Sequence, residues 1–470
     1  MGGAELIQAE KYSEYFNPRA TLFRGTKCTN EVLYHGHIIE DMGTHARLGC
    51  SSGHYFKSMR DADLASIDVV LHQIKPFERS YPHYAPISGG YADPLFFDYT
   101  LAKLASSDAH LDPAKKGRAC CEIFGAYGWA ESTSEMLYLV NHMLVRGINH
   151  FIPHAFYHRM GLEDCPPHFY AGMVTQTDGT TAAMFRYMDR MCELFSGGTS
   201  TAETAVLYHA QAEWSGKRCL PVDRVAKYLM DSQQDFDIVD FDALSKATVN
   251  RSFFEIGNCR YRKLFVPEYE YLPAEYEKLL SRFSDYTTVF DEKSTPSRGM
   301  EGLRVYKYRK DDESYEMLFN ENNRSIDCFN QHGLRYAIDY LRGTYRTAGE
   351  HIMLSPGEAV VLRNTPDGTL CLDGICETKA QERFDISVME LGKDRFTEYR
   401  RNADTDFDIN APENLPDFSG WVRYEFEADI GSYSGMKVEY RGDACLVSVS
   451  DKQYVGADRF VYCMFDKPLT

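Results

Sequence analysis

One carboxylate, Glu122, ends a short apolar run and opens onto a loop of glycines and aromatics: Arg118-Ala-Cys-Cys-Glu-Ile-Phe-Gly-Ala-Tyr-Gly-Trp129. After a helix-length gap a second run, Gly147-Ile-Asn-His-Phe-Ile-Pro-His-Ala-Phe156, delivers His150 and His154 beside Phe151 and Phe156. A carboxylate, histidines that can bond hydroxyls and flat aromatic faces are the parts of a sugar-cleaving pocket. Glycosidic cleavage uses two carboxyl groups, one protonating the leaving oxygen and one attacking the anomeric carbon or activating water. Glu122 could serve as the nucleophile or the base. His150 and His154 stand four apart and share one face of an ideal strand, although Pro153 between them can bend it. Tyr127 and Trp129 could stack on a pyranose, and His72 closes the run Val69-Val-Leu-His72. A structural ion pair at Glu122, carbonyl-satisfied histidines and packed aromatics are the competing readings.

The elements that must carry these residues alternate between strand and helix. Ile67–Ile74 is a near-continuous apolar run, as in a strand buried on both faces. Ala119–Phe124 reads as a strand, and Ser132–Arg146 as a helix capped by Ser132 or Thr133 and stopped by Gly147. Ile148–Ile152 reads as the next strand. Further helices are expected at Leu6–Phe16, Phe56–Leu64 and Tyr99–Ala109, and a strand at Glu31–Ile39. Such alternation implies a parallel sheet or barrel, whose strand C-termini carry the chemistry. A second α/β unit follows, with strands at Thr204–Tyr208, Asp237–Asp240 and Tyr261–Pro267 and helices at Val222–Gln233 and Ala274–Phe283. It has no G-x-G-x-x-G motif, so no nucleotide is assigned. From Glu301 onward period-two strands take over, with Pro356-Gly357 as a turn.

Net charge is −18, with no Lys/Arg-rich run, which argues against a nucleic-acid partner. No stretch is long and apolar enough for a membrane span. The 13 cysteines are scattered, without zinc spacing, and read as reduced thiols. With no leader-like N-terminus the expected location is cytoplasmic, or periplasmic or secreted if a signal peptide lies upstream. No cofactor is required. Calcium at Glu40 or Asp41 is the possibility left open. The pairs Asp235/Asp237 and Asp240/Asp242 read as solvated strand ends, and Ile87–Asp93 as a loop over the site.

Glu122 to Trp129 followed by Gly147 to Phe156 resembles the last two barrel strands of bacterial glycoside hydrolases. The similarity is to family 2 sugar-binding-like and family 106 α-L-rhamnosidase-like enzymes, related to the clan A barrels. Ala205-Val-Leu-Tyr-His-Ala-Gln-Ala-Glu-Trp-Ser-Gly216 resembles the opening of the glutamine-amidotransferase-like domain after the barrel of family 42 β-galactosidases. Leu415-Pro-Asp-Phe-Ser-Gly-Trp-Val-Arg-Tyr424 resembles the start of their galactose-binding-like sandwich. The resemblance implies a multidomain α/β plus β chain: the C-terminal part of a (β/α)8 barrel over 1–198, a Rossmann-like domain over 199–298, a small β domain over 299–390 and an incomplete sandwich over 391–470. It places Glu122 at the nucleophile position of a retaining enzyme, or at the base position of an inverting rhamnosidase-like one, with the acid partner outside this chain. About four barrel strands are counted, so the chain reads as a segment of a longer enzyme or a degenerate paralogue. A half barrel has open strand edges, so a homo-oligomer is expected. The alternative function is a non-catalytic carbohydrate-binding or scaffolding protein. An amidotransferase is disfavoured, because no cysteine follows the strand at Thr204–Tyr208.

Overall fold

The structure is a computed structural model. It describes residues 33–36, 54–70, 72–78, 84–85, 90–91, 95–157, 165–169, 179–292, 299–377, 383–390, 393–404, 407–427, 433–440, 445–450, 452–456 and 460–464. Glu40, Asp41, the expected Leu6–Phe16 helix and most of the Glu31–Ile39 strand and the Ile87–Asp93 loop lie outside them.

The chain divides into two compact units, one of Met1–Cys371 with Glu439–Val461, the other of Leu372–Val438 with Tyr462–Thr470. The first unit opens with three parallel strands, β1 (Ala65–Val69), β2 (Ala119–Ile123) and β3 (His150–Pro153), paired in that order. Helix α1 (Leu101–Leu111) joins β1 to β2, and α2 (Thr133–Leu144) joins β2 to β3. Ala65, Ile67, Val69, Ala119, Cys121 and Ile123 face the helices and enter the core. Alternation then puts Ser66, Asp68, Cys120, Glu122, His150 and Ile152 on the opposite face. Ser132 caps α2 by accepting from the Glu135 backbone N–H at 3.1 Å. A further helix, α3 (Gly179–Leu194), follows.

The second layer is a four-stranded parallel sheet. Its strands are β4 (Thr204–Leu207), β5 (Phe236–Val239), β6 (Lys263–Pro267) and β7 (Thr287–Phe290), and its order is β7-β6-β4-β5. Counted along the chain this is the 2-1-3-4 order of doubly wound sheets. Helices α4 (Val222–Asp231) and α5 (Ala274–Leu280) belong to it. A mainly antiparallel sheet follows, built on β8 (Leu303–Lys310), β9 (Glu313–Asn320), β10 (Tyr336–Asp339), β11 (Thr344–Thr347) and β12 (Ala359–Arg363). Thr199–Ser200 pairs with β8, so the segment that leaves the first layer also edges the third.

Polar groups stitch these layers where apolar packing stops. On α1, Lys103 meets Asp235 at 3.1 Å, His110 meets Asp237 at 2.8 Å, and the Ile238 backbone N–H donates to the Ser107 hydroxyl at 2.8 Å. Asp237 also accepts from the Tyr261 hydroxyl at 2.8 Å, and Asp240 caps the short helix Phe241–Ser245. Asp235, Asp237 and Asp240 are therefore not solvated strand ends. Asp235 and Asp237 let the polar face of α1 be buried, Asp240 is buried as a helix cap, and only Asp242, paired with Arg60, lies at the surface. Glu321, after β9, accepts from Arg146 at 2.8 Å and Arg304 at 2.6 Å and meets His142 at 2.8 Å, all buried. Arg304 reaches on to Asp231 at 2.8 Å.

In the second unit, β13 (Phe384–Glu390) pairs with both β14 (Thr397–Ala403) and β15 (Gly420–Glu425). The unit begins at Leu372, whereas the sequence reading sets its boundary after residue 390. Pairing with β15 is what carries β13 into it.

Candidate functional site

In parallel α/β sheets ligands sit beyond the carboxyl ends of the strands. At that edge of the first sheet the backbone is strained. Three non-glycine residues have φ in the left-handed region: His72 at 62° after β1, and Phe124 at 83° and Ala126 at 59° after β2. Side chains resist this conformation, and such residues concentrate where a fold holds a functional geometry. Gly125 lies between the two strained residues after β2. A Cβ there would lie 2.9 Å from Val70 Cγ1 and 3.0 Å from His154 Cγ. The absent side chain lets the β1, β2 and β3 ends converge.

Glu122 sits on β2 itself, one residue before its end and half-buried, in register with Asp68 of β1 and Ile152 of β3. Asp68 is only 1% exposed, so of these two carboxyls Glu122 is the one a ligand can reach. Beyond Glu122 lies an aromatic and imidazole cluster. Trp129 is 49% exposed and tilts over His168 at 5.7 Å, His168 lies 6.0 Å from His154, and Tyr157 meets His168 edge-on at 5.8 Å. Phe156, 64% exposed, rests on Phe169 at 5.3 Å and Phe185 of α3 at 5.7 Å. Backbone bonds from Ala126 to Cys165 (3.1 Å) and from Gly128 to Pro166 (2.9 Å) fasten the two loops that carry Trp129 and His168. The surface so formed offers the flat faces of Trp129 and Phe156 and the half-buried His154 beside a half-buried carboxylate, with His168 buried beneath them.

Three expected site residues are engaged in other contacts. His150 is at the start of β3, its Nδ1 2.8 Å from Asn149 Oδ1, and burial together with Arg118 lowers its pKa. It stands a strand's length from His154, because the strand carries them to opposite ends of the sheet. Tyr127 turns into the core: its hydroxyl donates to the Ile74 carbonyl at 3.0 Å and accepts from the Ile74 N–H at 3.2 Å. An aromatic two residues from an exposed tryptophan looks like a second platform, but its hydroxyl is committed to anchoring the β1 loop. His72 tilts onto the Tyr127 ring at 4.8 Å, with Nε2 3.9 Å from Glu135, and its pKa is lowered by burial and by Lys75.

The sequence reading missed His168, Tyr157 and a carboxyl pair. His168 arrives on a loop without periodicity, and only its neighbours in space identify it. Glu131 and Glu135 flank the α2 cap; the sequence reading uses Glu135 only as a first-turn residue. Burial raises both, and the Glu135 charge pushes Glu131 further, to about 9. Among the described residues no group of three His, Cys, Asp or Glu side chains is arranged to hold a metal ion, and no helix is long and apolar enough to cross a membrane.

No family model and no curated protein sequence matches the chain. Solved structures do. The chain is similar to a rhamnosidase from Novosphingobium sp. PP1Y, at 14% identity and a TM-score of 0.50, over 83% of this chain and 43% of that one. It is also similar to a beta-galactosidase from Bacillus circulans sp. alkalophilus (11% identity, TM-score 0.41, 67% of this chain and 62% of that one). A third is Gan42B, a GH42 beta-galactosidase from G. stearothermophilus (11%, 0.45, 77% and 68%). The chain thus spans under half the length of the rhamnosidase. The likeness to the rhamnosidase is one of fold: mixed α/β layers followed by β structure.

Proposed function

We propose that this chain binds carbohydrate at the carboxyl edge of its first sheet, and that Glu122 acts there as the nucleophile or base of a glycoside hydrolase. The observation that carries the reading is the position of Glu122. It is the half-buried carboxyl on the middle strand of a parallel sheet, two register steps before His154 and at the edge that carries Trp129. A pyranose stacked on Trp129 would present its ring hydroxyls to His154. The three parallel strands are read as part of a (β/α)8 barrel, and the proton donor as a carboxyl supplied from outside this chain. α-L-Rhamnosides and β-D-galactosides are the substrates to try first, since the similar structures include a rhamnosidase and beta-galactosidases.

A second reading, carbohydrate binding without cleavage, is favoured by one observation. The carboxyl in register with Glu122 is the buried Asp68, which cannot reach a substrate. The test is hydrolysis of nitrophenyl glycosides, with calorimetric binding of the same sugars, by the chain and its Glu122→Gln variant. Under the first reading Glu122→Gln loses roughly 10²–10⁴-fold in rate while binding persists. Binding by both proteins with hydrolysis by neither leaves two readings standing: binding alone, and a cleaving site whose proton donor comes from outside this chain. Hydrolysis that survives Glu122→Gln removes Glu122 from the chemistry.

A further inference from the structure

The loop from Phe124 to Glu131 is held at several points. The Tyr127 hydroxyl clasps Ile74, Gly128 bonds Pro166, and the Glu131 N–H reaches the Gly128 carbonyl at 3.3 Å. At its end the Glu131 side chain is 6% exposed. Both carboxyl oxygens are buried and find no hydrogen-bond partner among the described residues. A buried polar group left so requires an explanation. Around it stand Glu135 on α2, Tyr127 in the loop, and His72 and Lys75 after β1. Glu135 interacts with Lys75 and stands 3.9 Å from His72, whereas Glu135 is the charged neighbour that acts on Glu131. An ionised Glu131 would be a second negative charge in a dry site, with no donor to receive it.

We infer that Glu131 is a positioning residue for the Trp129 platform: its neutral carboxyl seats the strained Phe124–Glu131 loop, and its ionisation releases that loop and the indole with it. The loop can respond because it stores strain at Phe124 and Ala126, which only the surrounding anchors maintain. Deprotonation costs the loop its seat, since a charged carboxylate gains solvation by leaving. Trp129, two residues along the chain and half in solvent already, must move with it. This rests on the proposed function only for its consequence, the loss of sugar binding; the movement itself is read without any sugar.

The experiment follows iodide quenching of tryptophan fluorescence from neutral to alkaline pH, in the full chain and its variants. Circular dichroism is recorded at each pH to confirm that the chain stays folded. The sequence holds 3 tryptophans, and Trp129→Phe isolates the contribution of this one. The expected result is a rise in quenching with a midpoint near the value of about 9 to which Glu131 is raised. The transition should be absent from Trp129→Phe and from Glu131→Gln. If Glu131→Gln does not fold, Glu135→Gln serves instead, and removing its charge should move the midpoint to lower pH. A transition that persists in Glu131→Gln, one unmoved in Glu135→Gln, or none in the wild type overturns the inference. Nitrophenyl glycoside or sugar binding that falls over the same pH range in the wild type alone would tie the movement to the site. Binding absent at every pH would count against the proposed function and leave the loop inference standing.

Discussion

The two parallel sheets of the first unit end their strands in opposite ways. Beyond β1, β2 and β3 the chain is strained and presents Trp129 and Phe156 to solvent. Beyond β4 and β5 the corresponding edge is sealed. Tyr208, His209 and Trp214 are buried, and the His54 ring meets Tyr208 at 4.9 Å and Trp214 at 6.0 Å. The Leu220 N–H donates to the Glu268 carbonyl and the Glu270 N–H to that of Arg218, each at 2.8 Å, which closes a ribbon over the crevice. A doubly wound sheet offers a binding crevice at its order reversal, here between β4 and β6. In this molecule that crevice is packed with side chains, which agrees with the missing glycine fingerprint. One sheet is packed at its carboxyl edge, and the other is open there.

The sharpest way to break the comparison is to delete a tryptophan from each edge. Trp214→Ala leaves a cavity in the sealed edge and should cost about 3–5 kcal/mol. Trp129→Ala removes a half-solvated ring and should change stability by less than about 0.5 kcal/mol, yet abolish sugar binding. Urea unfolding of both variants beside calorimetric titration of sugar decides it. Equal losses of stability would mean that the Trp129 edge is packed like the other.

The edges should also fail at opposite ends of the pH scale. At the sealed edge, burial lowers His209 to about 4. A histidine depressed in the folded state leaves the unfolded chain to take the proton first. Stability is then full above the ordinary imidazole range and is lost as pH falls toward about 4. Glu131 runs the other way. Raised to about 9, it binds its proton more tightly when folded, so stability is full below the ordinary carboxylate range and is lost as pH rises. In thermal melts across pH, His209→Gln should flatten only the acid limb and Glu131→Gln only the alkaline limb. A Glu131→Gln protein no more stable than wild type at alkaline pH would contradict the burial of that carboxyl.

Gly125 tests how the open edge is assembled. Gly125→Ala forces a methyl against Val70 and His154 and should cost about 1–3 kcal/mol. Because His154 must shift, sugar affinity should fall more than stability. Unchanged affinity would separate His154 from the binding surface.

Much of this was legible in the sequence, for reasons that differ between the edges. The apolar runs at Ala65–Val69 and Ala119–Ile123 and the Ser132 cap give the strands, the helix and the place of Glu122, because period and capping act locally. Trp129, His154 and Phe156 follow once the strands are set. Tyr127 and His150 were misplaced because a loop's turn and a strand's length decide where side chains meet. His168 was invisible because a cross-loop contact has no sequence period. The aspartates at 235 and 237 look solvated until α1, with its lysine and histidine, is docked against them, and Asp240 until its role as a helix cap is seen. Long-range pairing hides in composition; local periodicity does not.

The smallest expected effect is the most selective. Ser132 and Asp240 each cap a helix just beyond a strand end, Ser132 at the open edge and Asp240 at the sealed one, where it accepts from the Ala243 N–H at 2.8 Å. Replacing either by alanine should cost about 1 kcal/mol, since each leaves a helix N–H without its acceptor. Ser132→Ala also loosens the turn next to Glu131 and Glu135, so it should weaken sugar binding at Trp129. Asp240→Ala should leave binding untouched, because its helix supports the packed sheet. Matched losses in denaturant midpoint with unmatched losses in affinity would assign ligand binding to the first sheet's edge. Matched losses in both would show that the two edges communicate through α1, which packs against both sheets.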